Sequence, residues 1–228
     1  MKKFTLRTVV FGLAGAVLMS FNSKDQVKPA KATEMIVWGT NPESCEVIEF
    51  DEFNKVQSAN GVVSAIYSDN TPVQVSAQFL SAGGDYEGLN AAVLVNTNQP
   101  DGRFKTPSGA AARPMGNVLT VGDQEENGVE IRENGSRIEL DFSAMGSITL
   151  KGIHILDITE DEAGSKLEML DASGKVIRTM KLPVTGAHGA TRLNTGNMPG
   201  VVKLRLTFES KNGKGGSGAI DVIEFCRS

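Results

Sequence analysis

The chain has two cysteines, and they stand near opposite ends of its 228 residues. Cys45 opens the run Cys45-Glu46-Val47-Ile48-Glu49-Phe50, and Cys226 closes Ala219-Ile220-Asp221-Val222-Ile223-Glu224-Phe225-Cys226. β-Branched and aromatic residues at this density and length favour extended strands. If the two runs are antiparallel neighbours with the cysteines opposite each other, Ile48 faces Ile223, Glu46 faces Phe225 and Phe50 faces Asp221. Side chains alternate along a strand, so this register places Ile48, Phe50, Ile223 and Phe225 on one face, the core. Cys45, Cys226, Glu49 and Glu224 fall on the other. A one-residue slip would scramble that partition. A disulfide between Cys45 and Cys226 is expected; the alternative is two free thiols at ragged ends.

The disulfide needs an oxidising compartment, and the N-terminus is consistent with one. Lys2, Lys3 and Arg7 precede an uncharged stretch from Thr8 to Ser23 with an apolar centre at Val9–Met19. A basic start followed by an apolar run too short to span a bilayer reads as a secretory signal. We assign residues 1–32 to it, 33–44 to a linker and 45–228 to the folded domain. Cleavage fits after Ser20 or at Ala30-Lys31-Ala32, and an uncleaved anchor is the alternative. The expected location is secreted or periplasmic, with no membrane anchor in the mature form. Removing residues 1–32 leaves 17 basic against 26 acidic side chains, a net charge of −9. So acidic a domain repels phosphate backbones, so nucleic acid is excluded as a partner.

Further strand-like runs recur at Val62–Tyr67, Pro72–Leu80, Ala92–Asn96, Asn117–Val121, Arg137–Phe142, Ser147–Ile158, Lys166–Leu170, Lys175–Leu182 and Val201–Phe208. Short strands at this spacing predict an all-β antiparallel sandwich. The clearest hairpin is Lys166–Leu182, turning at Asp171-Ala172-Ser173-Gly174. Ser81–Asn90, Asn98–Gly116 and Lys211–Gly218 read as loops. The last, Lys-Asn-Gly-Lys-Gly-Gly-Ser-Gly, lacks the context of a phosphate cradle and is expected to be a flexible surface loop.

Val47-Ile48-Glu49-Phe50-Asp51, Gly116–Val121, Ile153–Ile158 and Ser217–Phe225 together resemble a group of exported bacterial jelly-roll domains. These are similar in turn to galactose-binding-like, carbohydrate-binding-module sandwiches. The resemblance covers roughly residues 45–226 and implies a non-catalytic jelly-roll beside polysaccharide-active machinery. It also implies a structural calcium between first-strand acids and a last-strand Asp, here Glu49, Asp51 and Asp221. The register adds Glu52, diagonal to Asp221. The same register turns Glu49 and Asp51 away from Asp221, so either the strand bulges or only some of these acids share a site. The alternative is an Asp221 that caps loop amides without metal.

No enzyme signature is present. His154 lies within an apolar run and reads as a core or edge histidine, and His188 sits in a turn. HExxH and GxSxG are absent. A glycan site needs exposed aromatic rings, and few polar aromatics exist: Trp38 in the linker, Tyr67 and Tyr86, with Phe104 in the long loop. Tyr86, beside Asp85 and Asn90, is the leading candidate, with Asp101 and Arg103 as hydrogen-bonding partners. Tyr86 as a mere loop anchor is the alternative. The expected function is binding of an extracellular polysaccharide. The rivals are a structural surface or matrix protein and a carbohydrate-active jelly-roll enzyme.

Overall fold

The structure is a computed structural model that describes residues 44–52, 55–98, 104, 115–125, 128–131, 134–212 and 215–228. The signal segment, most of the linker with Trp38, and the candidates Asp101 and Arg103 lie outside the described residues. In chain order the strands are β1 (Cys45–Ile48), β2 (Val56–Ala59), β3 (Val62–Ser68), β4 (Thr71–Leu80), β5 (Tyr86–Glu87), β6 (Ala92–Asn96), β7 (Asn117–Val121), β8 (Asp123–Glu125), β9 (Gly128–Glu130) and β10 (Ser136–Asp141). They continue with β11 (Ile148–Leu156), β12 (Lys166–Leu170), β13 (Val176–Lys181), β14 (Ala190–Val201), β15 (Lys203–Phe208) and β16 (Ala219–Arg227).

Alternation decides which face each strand buries. Val73, Val75 and Ala77 of β4 are buried, while Gln74 and Ser76 between them are exposed. On β10, Ile138 and Leu140 face the same way against Leu206 and Leu204 of β15. Strands β13-β12-β15-β10-β4-β3 pair side by side in one layer, and β6-β7-β16-β11-β14 in a second. A single pair, Val62 with Val93, joins them at β3–β6. Every strand pairing in the sheet is antiparallel, and the inner faces share one apolar core. Within that core the Phe142 and Phe225 rings meet edge to face at 5.5 Å. The end strands of the pairing path approach each other too: the Arg178 guanidinium on β13 donates to the Thr195 carbonyl on β14 at 2.8 Å. The fold is thus a nearly closed antiparallel β-sandwich, as the sequence predicts.

The first and last strands pair antiparallel, Cys45 with Cys226 and Ile48 with Ile223, and the disulfide is formed. Ile48, Phe50, Ile223 and Phe225 are all in the core. β16 runs between β11 on one side and β7 followed by β1 on the other.

Several expectations need correction. Val56–Ala59, Asp123–Glu125, Gly128–Glu130 and Ala190–Val201 were not expected as strands, and Tyr86–Glu87 forms a short strand inside the expected loop Ser81–Asn90. β2 turns into β3 through Asn60-Gly61, both with positive φ (51° and 77°), the geometry a two-residue hairpin requires. β14 contains Gly196, Pro199 and Gly200, which hide a strand from propensity, and it accommodates them through irregular register with β11. The glycine-rich segment before β16 starts as an exposed turn at Lys211 and Asn212, but Gly216, Ser217 and Gly218 are buried rather than a free surface loop. Ser217 is buried and its N–H donates to Glu162 Oε1 at 2.6 Å, and a side chain at Gly218 would run into the Phe208 ring. Glycine is there for close packing.

Candidate functional site

Asp221 was expected to face inward opposite Phe50. The pairing with β1 ends instead at Ile48–Ile223. Against β11, Ile153 pairs with Ile223 but Ile155 pairs with Ile220, so β16 carries one extra residue between them. This β-bulge lets both Ile220 and Ile223 enter the core, three positions apart. Asp221 lies within this irregular stretch, near enough to Asp51 and Glu49 to feel their charges.

There Asp221 is only 5 % exposed. Burial, then the neighbouring Asp51 and Glu49 charges, push its carboxyl up to about 7, against a hydrogen bond from the Val222 N–H. Asp51 itself accepts from the Asn117 N–H at 2.6 Å, at the start of β7. Gly116 lies under that carboxylate; a Cβ there would collide with it, and its φ is +66°. Glu52 is engaged elsewhere, in an ion pair with Lys55 at 2.9 Å. Among the described residues, no group of three or more His, Cys, Asp or Glu side chains is arranged to hold a metal ion.

The Tyr86 group does not converge on a binding surface. Tyr86 pairs with Leu80 in β5, and the Arg137 guanidinium covers one face of its ring at 3.9 Å. Its hydroxyl is buried beside Glu209; burial foremost, then that negative charge, pushes it up to about 12. The Asn90 amide is fully engaged with backbone: Oδ1 accepts from Ala77 and Ala92 N–H, and Nδ2 donates to the Val63 and Val75 carbonyls. Asn90 braces the place where β3, β4 and β6 diverge. Asp85 is exposed, with its N–H donating to Ser81 Oγ at 3.3 Å. Phe104 is buried with Val118, Leu156 and Ala219 and offers no ring to solvent.

Two acids of the β11–β12 connection, Asp157 and Glu162, are structural, while Glu160 and Asp161 between them are exposed. Asp157 is buried and accepts from the His188 N–H at 2.8 Å, and Glu162 is buried between Thr159 and Ser217. His154 is half-buried, and burial holds its imidazole below the usual range.

A concave polar surface does exist elsewhere. Glu46, Val47, Ile48, Glu49, Glu52, Lys55, Tyr67, Ser68 and Asp69 line a cleft of about 330 Å³. A second hollow of about 460 Å³ shares Lys55, Tyr67 and Asp69 and adds Asn70. One wall is β1 and its continuation. The other is the tip of the β3–β4 hairpin, where Asp69 and Asn70 form a two-residue turn with φ of 44° and 65°. Tyr67 is half-buried, and its hydroxyl donates to Gln57 Oε1 at 2.9 Å, which fixes the ring. At the other side Arg227 grips Glu46 with two nitrogens and reaches the Ser68 carbonyl at 3.3 Å, while Ser68 Oγ donates to Glu46. Sequence alone could not assemble this cleft, because one wall is a hairpin tip and the other a strand held in place by β16.

A disulfide-closed antiparallel sandwich with a polar cleft beside its joined terminal strands defines a class of scaffold. No family model matches the chain, and no curated protein matches it. Among solved structures it is similar to a DUF4465 family protein from Bacteroides caccae, at 12 % identity and TM-score 0.43, covering 80 % of this chain and 100 % of that one. It is also similar to a mutant lectin binding domain of lectinolysin complexed with Lewis b, at 11 % identity and TM-score 0.37, covering 76 % and 99 %. A third is a fucose binding module from Streptococcus pneumoniae, at 13 % identity and TM-score 0.33, covering 71 % and 99 %. Likenesses this distant carry no argument about ligand or role. The architecture stands on the strand pairing itself.

Proposed function

We propose that this protein is an exported, non-catalytic binding module that takes an extracellular glycan in the Tyr67 cleft. The observation that carries this reading is a fixed, half-buried tyrosine in a concave surface rich in hydrogen-bonding groups. Sugars present C–H faces that stack on an aromatic ring and hydroxyls that need paired donors and acceptors. Lys55, Asp69 and Asn70 supply those groups around the ring. Export by residues 1–32 rests on the sequence and accords with the disulfide.

Glycan-array binding followed by titration tests the reading. Tyr67→Ala should abolish retention, while Tyr86→Ala, whose ring already lies under Arg137, should leave it intact. Binding that survives Tyr67→Ala would place the site elsewhere. Absence of any saturable glycan binding would favour a structural surface protein.

A structural calcium at Asp221 is a separate proposal, carried by donor chemistry. Glu49, Asp51 and Asp221 are hard oxygen ligands of the kind calcium takes, and burying Asp221 ionised demands a partner. Glu52, paired with Lys55, is excluded from the set. Calcium should raise the melting temperature of the wild-type protein and leave Asp221→Asn unchanged. Equal response of both would remove the site.

A further inference from the structure

The outer face of the six-stranded layer carries a row of cations around a buried hydroxyl. Leu206 and Phe208 of β15 are in the core, so Thr207 between them points to the opposite face, yet it is only 1 % exposed. Its direct neighbours on the flanking strands are Arg137 of β10 and Lys166 of β12, and Lys166 in turn stands opposite Lys181 of β13. These four residues form one row across four strands spaced ~4.8 Å apart. Like charges directly opposite each other, as Lys166 and Lys181 are, destabilise a sheet. Cations on the neighbouring rows are matched: Lys203 pairs with Asp141 at 2.8 Å and Arg205 with Glu139 at 2.5 Å. Arg137 and Lys181, by contrast, form no ion pair with any described residue. Glu209 comes within 3.8 Å of the Lys166 ammonium, beyond hydrogen-bond range. Thr207 Oγ1 and Arg137 Nε are both buried without a hydrogen-bond partner among the described residues. Each can donate, and a buried donor with no acceptor is costly. The Arg137 guanidinium is braced from its other side by the Tyr86 ring, 3.9 Å away. Unsatisfied donors beside surplus positive charge call for an acceptor that is negatively charged.

We propose that Arg137, Thr207 and Lys166 form a binding site for a tetrahedral oxyanion, a sulfate or its ester, with Lys181 at the outer end of the row. The donors come from three different strands, which suits the spread oxygens of a tetrahedron better than the two coplanar oxygens of a carboxylate. The acidic balance of the whole domain does not forbid this, because exposed charges farther than ~8 Å away are largely screened at physiological ionic strength. Glu209, beside Lys166, opposes binding and limits its strength. The site shares no residue with the Tyr67 cleft and does not depend on the glycan reading of that cleft.

Heteronuclear NMR of the intact disulfide-bonded protein tests the site, with sodium sulfate titrated against sodium chloride at constant ionic strength. Sulfate should shift the amide resonances of Arg137, Thr207 and Lys166 saturably, and sodium acetate should leave them in place. Thr207→Val keeps the shape of the side chain but loses the donor, and should weaken sulfate by roughly tenfold. It should melt no lower than wild type, because the hydroxyl it removes is unbonded. Arg137→Gln should weaken sulfate further. Glu209→Gln should tighten it, a gain that a purely structural role for the row would not produce. Sulfated and desulfated forms of one oligosaccharide then separate the sources. Tighter binding of the sulfated form puts the oxyanion on a glycan, and saturable binding of inorganic sulfate alone makes it the free ion; either result sustains the site. No saturable shift with sulfate or with the sulfated oligosaccharide overturns it. So does acetate binding as tightly as sulfate, or binding undiminished in either Thr207→Val or Arg137→Gln.

Discussion

A carboxyl group 5 % exposed and facing two other carboxylates makes stability depend on pH in a defined direction. The Asp221 carboxyl titrates at about 7 in the folded chain, against an ordinary value of 3.8. The folded state therefore holds a proton that the unfolded state has already released over that interval. Stability contributed by this group is fully present below pH ~4 and declines as pH rises toward 7, beyond which it is lost. Asp221→Asn should remove that decline and, without calcium, melt higher than wild type at pH 8. Melting curves from pH 4 to pH 8 check this; a variant that loses stability as steeply as wild type would refute the assignment. Gly116→Ala should destabilise by about 2 kcal/mol or more, because it combines a positive φ with a collision against the Asp51 carboxylate. Asn90→Ala should cost about 2–3 kcal/mol in urea titrations, since it strands backbone groups from three strands. A loss under ~0.5 kcal/mol would mean water replaces the amide.

Elements show where local rules suffice. The β12–β13 hairpin forms as its sequence predicts: Asp171 Oδ1 accepts from the Ser173 and Lys175 N–H groups, and Gly174 takes φ of 79°. Those interactions are all within five residues, so they are readable from the chain. β14 and β16 are different. Both are irregular, and their irregularity is fixed by β11 between them, whose partners slip on each side. No local signal in Ile220-Asp221-Val222-Ile223 announces an extra residue; the irregular register exists only against the neighbouring strand. The same holds for Gly152, where a side chain would strike the Arg192 guanidinium. Arg192 lies across it to pair with Glu224. Gly152→Val should therefore disturb the outer face of β11, and loss of stability beyond ~1 kcal/mol in a denaturant titration would register it.

The molecule as a whole is held by a bond that spans 181 residues. On the chain-entropy account, closing so long a loop stabilises the fold by ~5 kcal/mol, with less realised in practice. Reduction, or Cys45→Ser with Cys226→Ser, should lower the melting temperature markedly, and an unchanged melt would count against the bond's role. Sequence alone determined the sandwich class, the disulfide partners and the register of the terminal strands from Cys45–Cys226 as far as Ile48–Ile223. These follow from β-branched alternation and from a pair of cysteines with no other partner. Tertiary structure alone decided the site. Tyr86 and Asn90 have the composition of a sugar-binding loop, but packing gives one to Arg137 and the other to the backbone. Tyr67 gained a cleft because a hairpin tip and β1, remote in sequence, are brought together by their common neighbours. Alternation tells which face a side chain takes; which surfaces become concave depends on strands that meet only after the chain has folded.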